Sequence, residues 1–300
     1  MAWNAQELKY FLSVFEHGGV GRAAAVARVT QPAISRSILR LEERLDVKLF
    51  DRLGSGMVPT IFGTVFAKQA RAILQEVDNA SQEIEALKNV YRGSVSIGCS
   101  PSMCGDLLAA ACLRLAQSKP ALRIHVFEGL FDAMLPRLVN GELDLMVGTF
   151  APQRLPDDVA SDEVFEDEVA LIVRAGHELA GKRRLTCHIL RTYKWILATE
   201  RDALRLHIES AFAESGTHLD SPALVSNSAH FIKTVVSDSN YLSYLPRRLT
   251  RIEEEAGRLV ALPFLNWRRT VRLARRKRGS LSPAANLLAS ELQSIWAEQR

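Results

Sequence analysis

Four side chains near the amino terminus, Gln31, Ser35, Arg36 and Arg40, fall on one face of a helical pattern. An amide or a guanidinium fork pairs with base edges, and serine or arginine also holds phosphate oxygens, so the chemistry these types could perform is recognition of double-stranded DNA. Behind them Ile34, Ile38, Leu41 and Leu45 recur at steps of four, three and four, the stripe that a helix buries. Thr30 stands at the N-cap, where a hydroxyl can accept a first-turn N–H, and Pro32 falls in the first turn. A short Ala-rich helix from Arg22 and a tight turn come before. Lys48 to Arg52 and Met57 to Thr60 flank Gly54-Ser55-Gly56, which predicts a two-stranded wing with Arg52 available for phosphate. Through residue 60 there are eight basic and six acidic residues, a balance of only +2. A solvated helix face would account for Arg36, Arg40 and Arg44 equally well, so the DNA reading rests on the ordered combination of short helix, capped helix and wing.

The elements that must carry this unit can be read further along. Three hundred residues predict two or three domains, and 47% apolar with 24% charged residues is the composition of a soluble globular chain. No apolar run approaches the span of a bilayer helix, and Glu7 and Lys9 interrupt any signal core, so a cytoplasmic protein without membrane contact is expected. Residues 61–91 read as one long helix with a seam at Phe66, Ala70, Ile73, Val77, Ala80, Ile84, Leu87 and Tyr91, alternating steps of four and three. Such a stripe needs a partner, most simply a second copy; the alternative is packing on its own domain.

From Gly93 onward short strands alternate with helices. Ser94 to Ile97, Arg123 to Phe127 and Leu143 to Val147 predict strands, with helices near Asp106 to Gln117 and Phe131 to Asn140, hence a parallel sheet. A second set lies at Val169 to Val173, Trp195 to Leu197, Ala223 to Val225 and Tyr241 to Tyr244. Two α/β subdomains follow, with a crossover near Phe150 to Glu163, a returning strand at Thr270 to Ala274 and a closing helix from Pro283 to Gln299. In the arginine-rich run from Arg268 to Arg278, Val271 and Leu273 alternate with arginines, which favours a strand with one wet face over an extra DNA contact.

The stretches Leu8-Lys9-Tyr10-Phe11, Arg22-Ala23-Ala24, Thr30-Gln31-Pro32-Ala33-Ile34-Ser35, Leu41-Glu42, Leu49-Phe50-Asp51-Arg52 and Thr60-Ile61-Phe62-Gly63 stand in the order and spacing of one family. The chain resembles the LysR-type transcriptional regulators. The resemblance implies an α/β protein with an N-terminal all-α winged helix-turn-helix (1–60), a long dimerisation helix (61–92) and a periplasmic-binding-protein-like effector domain (93–300). Its subdomain I would span about 93–162 and 266–300, and subdomain II about 163–265. It implies that Gln31, Pro32, Ser35 and Arg36 face bases while Thr30 and Arg52 hold the backbone, with Arg40 on the same face. It implies a homodimer or homotetramer on an inverted-repeat operator, a small-molecule effector, RNA polymerase as a further partner, and no cofactor. Two positions depart from the family pattern: Gly19-Val20 removes the usual side-chain cap of the first motif helix, and Asp46 replaces a glycine after the second.

In open α/β sheets a ligand sits at the carboxyl ends of the strands, beside helix N-termini that favour anions. Those ends carry Ser100, Ser102, Leu130, Thr149 and Phe150 in the first subdomain and Asn227, Ser228 and His230 in the second. The hydroxyls and the amide predict a carboxylate or similar acceptor, and Leu130 with Phe150 predicts that the ligand is partly apolar; each Ser or Asn could instead be a routine helix cap. No nucleophile elbow, phosphate loop or zinc spacing is present, so neither an enzyme nor a metal site is expected. Two other readings remain open: a ligand-binding module tethered nonspecifically to DNA, and a thiol-based redox sensor using Cys99 and Cys104.

Overall fold

A computed structural model describes residues 3–54, 56–87, 93–182, 184–200, 202–277 and 279–298. Its amino-terminal head packs α1 (Ala5–His17), α2 (Val20–Ala27) and α3 (Gln31–Leu45) against one another, followed by the wing strands β1 (Phe50–Leu53) and β2 (Gly56–Pro59). The predicted wing tip Ser55 lies outside the described residues. Asn4 opens α1 with a capping box, its side chain accepting from Glu7 N while Glu7 accepts from Asn4 N. Phe11 centres the core, with ring centroids 4.9 Å from Phe66 and 5.2 Å from Phe50. As the sequence predicts, α2 has no side-chain cap at Gly19, and Asp46 closes α3 in the left-handed region at φ 53°. A non-glycine residue there costs about 1 kcal/mol, somewhat less for Asp.

The long helix α4 (Ile61–Leu87) leaves the head directly. Thr60 starts it by accepting Gly63 N at 3.0 Å and donating to Lys48 O at 2.7 Å. A Cβ built on Gly63 would stand 2.1 Å from Leu49 O, a backbone atom that cannot step aside. Gly63→Ala is therefore expected to displace α4 from the wing and to lower the head's melting temperature by several degrees; an unchanged melt would mean that this junction is slack. The seam divides. Phe66 and Ala70 are buried in the head's own core, which corrects the expectation of a partner along the whole stripe, whereas Ile73, Val77, Ala80 and Ile84 remain exposed. Tyr91 lies outside the described residues, as does the side chain of Leu87.

Beyond the helix, β3 (Gly93–Cys99), β4 (Leu122–Glu128) and β5 (Leu145–Thr149) form the parallel part of a six-stranded sheet. Between them lie α5 (Pro101–Met103), a π-helical stretch (Cys104–Leu108), α6 (Ala109–Ser118) and α7 (Phe131–Val139). Two long strands then dominate: β6 (Val159–Arg174) and, near the end of the chain, β10 (Leu259–Arg276). The second lobe holds α8 (Cys187–Leu190), β7 (Ile196–Leu197), α9 (Ala203–Glu214), β8 (Leu224–Val225), α10 (Ala229–Ser237), β9 (Ser243–Pro246) and α11 (Arg247–Glu255), and α12 (Pro283–Glu298) closes the first.

The strand order is β4-β3-β5-β10-β6-β9, with β10 antiparallel to both β5 and β6. The sheet is therefore mixed rather than parallel, and the crossover expected near Phe150 to Glu163 leads, through a short turn at Pro152–Arg154, into β6, which runs on into the second lobe. The reason is visible in the ladder: β6 and β10 pair from Val159↔Arg276 to Arg174↔Leu259, through both lobes. A bulge at Pro263 to Asn266, with Leu265 at φ 49°, sits in the second lobe. Val271 and Leu273 are buried, while Arg268, Arg269, Arg272, Arg275 and Arg276 pair with Glu166, Asp167, Glu163, Asp162 and Asp144. The arginine run thus pairs with acids from both faces of β10; Arg278 lies outside the described residues.

Candidate functional site

The head presents its second motif helix outward. In α3 the buried residues are Ile34, Ser37, Ile38, Leu41 and Glu42, which leaves Thr30, Gln31, Pro32, Arg36 and Arg40 exposed and Ser35 half-buried on the other side. The Thr30 hydroxyl makes no capping bond, contrary to expectation. Pro32 has no N–H to give it, and Ala33 N is taken by the Thr30 carbonyl at 3.0 Å, so the hydroxyl stays free for an outside partner. Arg36 Nε donates to Pro32 O at 3.3 Å, which lays its side chain along the first turn. Arg36, Arg40 and Arg52 form no ion pair among the described residues. Arg44 and Lys48, by contrast, are tied to Glu7 and Glu42 at 2.8 and 2.9 Å. Among the described residues, the exposed face of α3 and the wing thus present cations without ion pairs, while Arg44 and Lys48 brace the head. The wing is fixed to the α1–α2 turn by Met57 N donating to Gly18 O at 3.0 Å.

A second site lies between the two lobes, at the carboxyl ends of β3, β5, β7 and β8. It is a cleft of about 180 Å³, room for about six waters at liquid density. Ser100, Ser102, Leu130, Thr149 and Asn227 line it together, although they come from loops up to 127 positions apart. The Ser100 and Ser102 hydroxyls are 3.3 Å apart, and Thr149 Oγ1 is buried without a hydrogen-bond partner. Phe150, Ser228 and His230 do not line the cleft. Phe150 turns into the core against Phe131 at 5.3 Å, Ser228 caps α10 by accepting Phe231 N, and His230 is exposed on the first turn of that helix.

Thr199 and Ala229, also at strand ends, line the cleft as well, whereas two arginines there carry no strand-end signal. Arg154 Nη2 meets Asp132 Oδ1 at 2.6 Å, with its guanidinium 4.5 Å from the Phe131 ring centre, and forms the rim. Arg269 reaches the floor from β10, where only the register of a strand more than a hundred residues from the serines could place it. A larger groove of about 560 Å³ separates α4 from the first lobe; Lys68 to Asp158 at 2.6 Å and Asn79 to Ser280 O at 2.9 Å span it.

The thiols contribute little reactivity. Burial pushes the pKa values of Cys99 and Cys104 above the ordinary thiol range, so both are held as neutral thiols and the thiolate that redox sensing needs is disfavoured. Among the described residues no helix is long and apolar enough to cross a membrane.

Comparisons with known proteins agree with this anatomy. Residues 5–64 match the model described as bacterial regulatory helix-turn-helix protein, lysR family, and residues 88–297 match the LysR substrate binding domain. The chain is 30% identical over 265 residues to the HTH-type transcriptional regulator GbpR of Azospirillum brasilense, covering 86% of this chain and 76% of the relative. It is 29% identical to the SDS degradation transcriptional activation protein of a Pseudomonas species, over 94% of this chain and 93% of the relative. Its fold is that of a full-length OxyR variant from Pseudomonas aeruginosa, with a TM-score of 0.78 and 22% identity over 98% of this chain and 95% of the other. A winged helix-turn-helix head, a long helix and a two-lobed effector domain, matched along both parts, place this chain in the LysR family of DNA-binding, effector-responsive transcriptional regulators.

Proposed function

We propose that the protein is a homodimer, or a dimer of dimers, that binds an inverted-repeat operator and changes its grip when a small molecule occupies the cleft. The observation that carries the reading is the exposed first turn of α3, where Thr30, Gln31, Pro32, Ser35 and Arg36 stand together with Arg36 free of acidic partners. Arg40, and Arg52 on the wing, flank that turn as phosphate contacts. The exposed lower part of α4 supports pairing of two chains, and a two-fold pair of heads reads a palindrome. The effector is a small molecule with a carboxylate or similar acceptor and an apolar part, held by Ser100, Ser102, Thr149 and Asn227 beside Leu130. No cofactor takes part. Acting on DNA, the regulator works in the cytoplasm with RNA polymerase as its downstream partner.

The test is selection of genomic fragments on the purified protein followed by footprinting at two salt concentrations. A protected inverted repeat is expected; salt-sensitive binding with no preferred site would favour the tether reading instead. Two substitutions refine it. Arg36→Ala is expected to cost about 1–3 kcal/mol on the operator and to relax base preference, whereas Arg52→Ala is expected to weaken specific and random DNA alike and reduce the salt slope by about one. Equal loss on operator and random DNA for Arg36→Ala would remove it from the base-reading set.

A further inference from the structure

The floor of the cleft contains a cation with donor capacity to spare. Arg269 is mostly buried, and its Nε and Nη2 donate to Asp167 Oδ2 at 3.2 and 2.8 Å. Nη2 also donates to Ser102 Oγ at 3.2 Å. A guanidinium has five N–H donors, and none of the hydrogen bonds among the described residues uses Nη1. Beside it, Thr149 Oγ1 is buried and unpartnered, and the Ser100 hydroxyl meets only that of Ser102. The acids on the cleft wall are engaged elsewhere: Asp132 holds Arg154, and Asp202 accepts Leu204 N at 2.8 Å as the cap of α9. Asp167 Oδ1 is buried without a hydrogen-bond partner, with Arg248 Nε at 3.9 Å, but Asp167 does not line the cleft. The groups that do at this end are a guanidinium and hydroxyls, while Leu130, Ile232 and Leu249 line it farther along.

We infer that Arg269 reads the charge of the effector, which is a small monocarboxylate accepting from Arg269 Nη1 and from the Thr149 and Ser100 hydroxyls. The inference rests on the cleft being the effector site. Asp167, buried on β6, neutralises Arg269 while the cleft is empty and fixes its fork; the carboxylate then adds a charge-assisted bond to a guanidinium already in position. A primary amide of the same shape can still offer its oxygen to that N–H and its NH₂ to the hydroxyls, which accept as well as donate, but it carries no charge and so loses the charge-assisted bond to the guanidinium. Arg269 acts here as a specificity residue.

The experiment is calorimetric titration of the purified full chain with hexanoate, benzoate and 3-phenylpropionate, each beside its primary amide. The wild type is expected to bind at least one carboxylate about 100-fold more tightly than its amide. Arg269→Lys keeps a cation for Asp167, and so the fold, but loses the fork; it is expected to lower that affinity at least about tenfold and to narrow the ratio. The double variant Arg269→Gln with Asp167→Asn, a neutral pair, is expected to abolish the preference. Amides binding as well as carboxylates, no binding by any of the six probes, or an unchanged ratio in both variants would overturn the inference. Ala203→Trp fills the cleft from the α9 side and separates the two levels. Carboxylate binding that survives it refutes the cleft as the effector site; binding lost there but indifferent to the Arg269 variants refutes only the role of Arg269.

Discussion

Glu42→Ala is expected to destabilise the head by about 3 kcal/mol while leaving the effector domain folded. Glu42 is on α3 and is 6% exposed. Its Oε1 accepts Leu49 N at 2.8 Å and Phe50 N at 3.3 Å, and Oε2 accepts Lys48 Nζ at 2.9 Å. One carboxylate thus satisfies two buried amides at the entry to the wing and fixes the DNA-facing helix relative to β1. Alanine removes the acceptor and leaves both amides buried without a partner, and a bond to a charged acceptor is worth about 1.5–3 kcal/mol. A domain of this size has only about 5 kcal/mol to lose, so operator binding should fall with the fold. Trp3 packs against Phe66 at 5.4 Å and is the one tryptophan of the head, so its fluorescence in urea follows this transition. Glu42→Gln keeps an acceptor oxygen and should lie between. A Trp3 transition shifted by less than about 1 kcal/mol in the alanine variant would show that water replaces the carboxylate at no cost.

Val77→Asp is expected to split the dimer and lower operator affinity about 100-fold or more. Val77 is 54% exposed on α4, between Ile73 and Ile84, which are exposed as well. Val77 belongs to no buried core cluster and lines the open groove beside the first lobe, so a carboxylate there stays in water in the single chain. In a paired helix it places two charges in an apolar seam. Two heads on one dimer bind two half-sites as a linked event, and losing the link removes an avidity of about 10²–10⁴. Light scattering reports the mass and footprinting reports both half-sites. A variant that keeps its dimer mass and its footprint would place the interface on another surface.

The head is legible in the sequence because its information is local. The stripe Ile34, Ile38 and Leu41, the turn before Thr30 and the glycines of the wing each act within a few residues, and the left-handed cap at Asp46 follows from its place after the helix. The free Thr30 hydroxyl was hidden because the proline two residues on, which has no N–H to give, matters more than the threonine's own preference. Several cleft residues could be found from strand ends alone, since topology puts those ends together. Phe150 could not, because whether the residue after a strand faces ligand or core depends on Phe131 across the loop. Arg269 was hidden for a larger reason. Alternation sets Arg269 on the side of Val271 and Leu273 and leaves Arg268, 74% exposed, in water, but only the register against β6 makes Arg269 the partner of buried Asp167. The seam of α4 misled in its first half because the same heptad spacing serves a core and a partner helix.

The ladder of β6 and β10 also limits how the effector domain can move. The two strands are paired from Val159 to Arg174, interrupted only at the bulge and at a register shift between Val271 and Arg272. With Arg269, Arg272 and Arg275 reaching across to Asp167, Glu163 and Asp162, they resist sliding because each paired stretch would have to break together. They yield far more easily to twist, the natural deformation of a two-stranded ribbon. The two lobes are thus mounted on a torsion bar rather than on a slack tether. Relative movement of the lobes is therefore expected as rotation about that bar rather than as sliding of one strand past the other.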